Sequence, residues 1–136
     1  MFIECNFITF LKISKIKNDK WGALEKLPSP ISSMANETHA SFSMDGNTLF
    51  FTSDRIGGLG GKDIYKVSKL PNGEWGKAQN LGEGVNTEFN EESPYIHPGQ
   101  GALYFSSEGH KSMGGFDIFK STPDSSGQWS NVKNNI

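Results

Sequence analysis

Cysteine occurs once, at Cys5, so no disulfide can close within the chain and no set of thiolates can hold a zinc ion. Side-chain packing has to hold the fold together. Charge of one sign is equally scarce: 13 Lys and Arg stand against 15 Asp and Glu, for a formal net charge of -2. The basic residues are scattered, so no electrostatic footprint for nucleic acid or for an anionic membrane surface is expected. Long apolar runs are missing too, with no stretch approaching the roughly 20 residues of a membrane span. The opening Met1-Phe2-Ile3-Glu4-Cys5 lacks the basic and apolar regions of an export signal. Long helical patterns are also absent. What is present suits short strands and tight turns: 16 glycines and 10 phenylalanines, with the aromatics concentrated in segments of β-forming character.

One internal offset, 54 residues, relates most of the chain to itself. Trp21, Trp75 and Trp129 are spaced by it, and Lys12-Ile13-Ser14-Lys15-Ile16 recurs as Lys66-Val67-Ser68-Lys69-Leu70. Asn36-Glu37 falls on Asn90-Glu91, and Leu49-Phe50-Phe51-Thr52-Ser53-Asp54 on Leu103-Tyr104-Phe105-Ser106-Ser107-Glu108. Gly60-Gly61-Lys62-Asp63-Ile64-Tyr65 likewise falls on Gly114-Gly115-Phe116-Asp117-Ile118-Phe119. A repeat of this size signals a solenoid or a propeller. Within one unit the pattern predicts strands over His39 to Ser43, Thr48 to Asp54 and Asp63 to Ser68, and a fourth around Trp75 to Leu81. Turns are expected at Asp45-Gly46 and Pro71-Asn72-Gly73.

Each unit therefore reads as a four-stranded antiparallel meander. Leu49, Phe50 and Phe51 are apolar on both faces of their strand, so the sheet must be sandwiched between like sheets. Leu49, Phe51, Ile64, Leu103, Phe105 and Ile118 are the expected inter-sheet core. The expectation is an all-β chain of about two and a half β-propeller blades: half a blade over 9–35, one over 36–83, and a nearly complete one over 90–136. Propellers close with roughly four to eight blades, so this length is not expected to form a ring. Residues 1 to 8 do not match the glycine-rich segment that precedes the corresponding strand and are read as a cap or as an artificial start.

Glu37 with Ser43-Met44-Asp45-Gly46, Leu49 to Arg55, Gly60 to Tyr65, Trp75, and Asn80-Leu81-Gly82 with Val85-Asn86-Thr87, with their later copies, resemble the TolB-like, WD-repeat-like propeller repeat. The variety most similar is that of OmpA-type envelope proteins of two-membrane bacteria. The usual Pro-Asp-Gly turn of that repeat appears as Met44-Asp45-Gly46 in one copy and Pro98-Gly99-Gln100 in the other. The peptidoglycan-binding domain that often follows such propellers is absent from this sequence. The resemblance implies a periplasmic or outer-membrane-associated scaffold that docks protein partners of the cell envelope. Separately, a partial propeller exposes an apolar blade face and unpaired edge strands, so the rest of a larger propeller, or further copies of the chain meeting through open blade edges, are also expected as partners.

Two acidic pairs flank glycine loops, Asp54 with Asp63 and Glu108 with Asp117. Hard oxygen ligands suit calcium, but a carboxylate beside tight glycine turns is expected to accept backbone N–H bonds. Together with Gly60, Gly61, Gly114 and Gly115, the four acids are read as a structural motif repeated in every unit, with calcium the alternative and no cofactor expected. His39, His97 and His110 lack a partner at metal-ligand spacing, and Ser53 and Ser107 lie in strand repeats outside any nucleophile elbow. No catalytic residue is assigned. Trp21, Trp75 and Trp129 are expected to anchor the outer strand of each unit, a carbohydrate platform being the alternative. Arg55 is unrepeated, Gly109 holding the aligned position, and is the interface candidate. The functional expectation is a non-catalytic interaction module. The alternatives are a propeller that precedes a serine-peptidase domain and a carbohydrate-binding propeller.

Overall fold

The computed structural model describes residues 2–5 and 9–134, and among them the chain is all-β. In chain order the strands are β1 (Phe2–Cys5), β2 (Thr9–Ile13), β3 (Ile16–Lys17), β4 (Lys20–Trp21), β5 (Glu25–Lys26), β6 (Glu37–Phe42) and β7 (Thr48–Ser53). They continue as β8 (Asp63–Ser68), β9 (Gln79–Asn80), β10 (Glu91–Ile96), β11 (Leu103–Ser107), β12 (Asp117–Pro123) and β13 (Trp129–Asn134). Two four-stranded antiparallel meanders, β6-β7-β8-β9 and β10-β11-β12-β13, follow a three-stranded sheet of order β1-β2-β5 and a small β3-β4 hairpin.

The cores lie between consecutive sheets. Leu49, Phe51, Tyr65 and Val67 from one face of the β6-β9 sheet meet Leu11, Leu27 and Ile31. Phe50 and Ile64 from its other face, with Leu81 and Val85, meet Leu103, Phe105, Phe119 and Trp129. Strand β7 is buried at every position from Leu49 to Ser53, because both its faces are covered. Each large aliphatic or aromatic side chain so buried contributes on the order of 1.5–3 kcal/mol. Of the six expected core residues, Ile118 departs, being 55% exposed. It sits at the repeat position of Ile64, on the face of the β10-β13 sheet that no described sheet covers.

Two strands also differ from expectation. Strand β6 starts at Glu37 and carries a bulge between Thr38 and Ala40, with His39 at φ 34°. The same irregularity recurs between Glu92 and Tyr95, with Ser93 at φ 54°. An extra residue in a left-handed conformation bends the strand and strengthens its twist. The expected fourth strand around Trp75 to Leu81 shrinks to Gln79–Asn80 and a single Lys69 to Trp75 bridge.

The N-terminal unit is more than the expected half sheet, because β1 pairs along β2, Ile3 opposite Leu11. Its alignment also slips by one residue. Leu27 donates to the Leu11 carbonyl at 3.0 Å as Leu81 does to that of Ile64 at 3.1 Å, and Thr9 donates to Asn36 Oδ1 as Lys62 does to Asn90 Oδ1. Leu11 thus occupies the place of Ile64, and the repetition of Lys12 to Ile16 as Lys66 to Leu70 is one residue out of structural register. The missing residue lies in the turn. Asn18-Asp19, both at positive φ, close the β3-β4 hairpin with two residues, whereas the equivalent turn uses Pro71-Asn72-Gly73.

Candidate functional site

The end of each sheet where β7 runs into β8, and β11 into β12, is built from repeated polar braces. Glu37 and Glu91 are fully buried. Ser33 donates to Glu37 through its amide, at 3.2 Å, and through its hydroxyl; Thr87 donates to Glu91 in the same two ways at 2.8 and 2.6 Å. Ser53 donates to Glu37 and Ser107 to Glu91 at 2.6 Å. Both serine hydroxyls, which a search for nucleophiles would notice, thus serve buried carboxylates, as such anions require. The chain pattern held the signal: Ser33, Glu37 and Ser53 recur as Thr87, Glu91 and Ser107 at the repeat offset. A glutamate before a strand nonetheless reads as surface, so the repeat marks Glu37 and Glu91 without revealing that they are buried.

The four acids of the glycine loops act on neighbouring backbone and amide groups. Asp54 accepts from the Asn36 amide at 2.7 Å and from its Nδ2 at 2.9 Å, and Glu108 accepts from Asn90 Nδ2 at 2.7 Å, tying the start of one strand to the end of the next. Burial works to raise the Asp54 carboxyl, but the side-chain and backbone hydrogen bonds from Asn36 outweigh it and hold its pKa below the ordinary value. Asp63 accepts from Leu59 and Gly60 amides and from Asn80 Nδ2; Asp117 accepts from the Met113 amide at 2.7 Å. The glycines serve two ends. A side chain on Gly60 would meet the Thr87 and Phe89 carbonyl oxygens, whereas Gly114 lies at φ 114°, which favours glycine. Gly61 donates to the Phe89 carbonyl at 3.0 Å, and Gly115 shares the positive φ of its neighbour.

Arg55 points inward. Its guanidinium donates to the Pro30 and Ile31 carbonyls at 3.0 and 2.7 Å and to Glu37 at 3.2 Å, and lies 5.0 Å from the centres of both the Phe51 and Tyr65 rings. In the next sheet the same place is filled from one residue further along. His110 Nε2 bonds the Val85 carbonyl at 2.6 Å, and the ring sits against Phe105 and Phe119, the repeat equivalents of Phe51 and Tyr65. Arg55 therefore has a counterpart, in His110, which alignment at a fixed offset hides behind Gly109.

The three tryptophans do not share one environment. Trp129 is buried edge-on against Phe50 at 5.9 Å, Trp75 is half-buried beside Phe42 at 6.2 Å, and Trp21 is 70% exposed. Trp129 leans on the preceding sheet and Trp75 on a strand of its own sheet; Trp21 has no such neighbour among the described residues, so it anchors nothing there.

Around the braces, the loops of one rim carry exposed apolar side chains: Met34 and Phe89 on the connections into β6 and β10, Ile56 and Leu59 before β8, Met113 and Phe116 before β12. Leu59 and Met113 hold the same repeat position. The antiparallel order of the meanders puts these four loops at one end and the Asp45-Gly46 and Pro71-Asn72-Gly73 turns at the other. The chain matches no family model and no curated protein.

Proposed function

We propose that the stacked meanders are blades of a β-propeller whose loop rim docks protein partners, and that the chain acts as a non-catalytic scaffold module of a bacterial cell envelope. The observation that carries the reading is the rim itself: large apolar side chains stand in solvent at equivalent positions of successive loops, on a frame of buried braces that fixes those loops. Exposed apolar side chains gathered on the loops of one rim are the material of interaction sites, and rigid scaffolds commonly carry recognition on their loops. The placement in the periplasm or at the outer membrane rests on the resemblance of the Gly60 to Tyr65 and Leu49 to Arg55 segments to the envelope propeller repeat.

Site-specific photo-crosslinking tests it. A photoreactive residue is placed at Leu59, at Met113, or at Met44 on the opposite rim, and each protein is exposed to envelope extract of a two-membrane bacterium. Discrete adducts at the first two positions and none at Met44 are expected. Equal labelling at all three, or none, overturns the reading.

A further inference from the structure

Repetition in this chain marks structure, so a feature that is not repeated deserves a functional explanation. A cleft of about 790 Å³ opens between the N-terminal sheet and the β6-β9 sheet, at the end away from the apolar rim. That volume lies within the range of small-ligand sites. Ile13, Leu27 and Pro28 line one side, and the Phe42 and Trp75 pair lines the other. One sheet later the indole at the same repeat position, Trp129, is packed away against Phe50; here Trp75 keeps part of its ring open to the cleft.

The charges around this aromatic corner are mixed. Lys69 Nζ lies 5.3 Å from the Trp75 ring centre, and Lys15, Glu25 and Glu74 also line the cleft, whereas the Lys26 ammonium is turned to the Phe10 ring. Three kinds of group thus converge: a flat apolar platform, ammonium donors, and carboxylate acceptors. A ligand that satisfies all three needs a ring with an apolar face, a carboxylate for the lysines, and hydroxyl donors for the glutamates. We propose that the cleft binds an acidic sugar of the uronate type, its ring face on Trp75, its carboxylate against Lys69 and a neighbouring lysine, and its hydroxyls on Glu25 and Glu74. An aromatic acid uses the platform and the lysines as well, but brings no hydroxyl donor to Glu25 and Glu74, and a neutral sugar leaves the lysines unused. The inference is independent of the rim, which lies at the other end of the sheets.

Isothermal titration of the full chain with a galacturonate trimer tests it, beside the corresponding neutral galactose trimer and 2-naphthoate. Saturable binding of the acidic trimer is expected, at least tenfold tighter than the neutral one and lost by at least tenfold in Trp75→Ala. Since that truncation also removes packing, Lys69→Glu provides a second variant with the exposed charge alone reversed, and it is expected to weaken the acidic trimer at least fivefold while leaving the neutral trimer unchanged. No saturable binding up to millimolar trimer, equal binding of both trimers, a preference for naphthoate, or binding indifferent to both substitutions each overturns the proposal.

Discussion

At the residue scale the chain shows how one place in a repeat is kept while the residue that fills it changes. Arg55 and His110 both cap a loop carbonyl and both lie on an aromatic pair, yet only Arg55 also faces a buried glutamate, Glu37, at 3.2 Å. Removing one partner of a buried ion pair leaves the other charge uncompensated, which costs about 3–5 kcal/mol. Arg55→Ala is therefore expected to lower stability by about 3 kcal/mol, measured by urea unfolding, and Arg55→Ala in a Glu37→Gln background by clearly less. Equal losses in the two backgrounds would show that Arg55 acts through packing on Phe51 and Tyr65 alone. The Asp54 carboxylate sets a pH dependence. Because its folded pKa lies below the ordinary value, the stability it contributes is present above the unfolded pKa of about 4 and is lost as pH falls through the folded one. Asp54→Asn is accordingly expected to be the less stable protein at pH 7 and to lose less of its stability than the parent on going to pH 3. These residues were legible only in part from sequence. The acids beside glycine turns announced their hydrogen bonds by composition, whereas the burial of Glu37 and the inward aim of Arg55 depend on the neighbouring loop, which no local pattern records.

Elements were legible in proportion to how much of their own burial they encode. Strands β7, β8 and β11 carry apolar or β-branched residues densely enough to fix their type and limits closely. Strand β9, two residues long, carries no periodicity, so sequence pattern extends the fourth strand over Trp75 to Leu81, well past Gln79–Asn80. The slip in β2 is more instructive, because Lys12 to Ile16 match Lys66 to Leu70 better by residue type than by place. Side chains alternate along a strand, so moving the register by one exchanges its faces. Burial settles the question: Leu11 is fully buried, while Phe10 lies on the other face beneath the ammonium of Lys26 at 4.4 Å. Leu11→Ala is thus expected to cost about 2–5 kcal/mol, and Phe10→Ala less than half as much. The reverse order in thermal or urea unfolding would restore the uninterrupted 54-residue alignment. The same logic separates β11 from β12. Phe105→Ala opens a cavity in the core between sheets and is expected to cost about 3–5 kcal/mol, against a small effect for Ile118→Ala.

For the whole molecule the consequence lies in two sheet faces. Phe50 and Ile64 are buried because the β10-β13 sheet covers them, and their repeat equivalents are Tyr104, half-buried, and Ile118, 55% exposed. At the other end Trp129 leans on the preceding sheet, against Phe50, whereas Trp21 stands 70% exposed. One face therefore carries the side chains that elsewhere receive a sheet, and the other carries the tryptophan that elsewhere leans on one. The two are complementary in the sense in which the internal interfaces already are, so a contact between them would be heterologous and head-to-tail, not self-complementary. The isolated chain is expected to associate in this way, its mean mass by static light scattering rising with concentration. With Ile118→Lys and Trp21→Lys each blocking one of the two faces, either variant alone should remain monomeric, and the two mixed together should stop at a dimer. Met44→Lys, equally exposed but on a turn tip outside both faces, should associate as the parent does. A parent mass that stays monomeric at all concentrations, or association that survives both face substitutions, would show that these faces do not recognise each other.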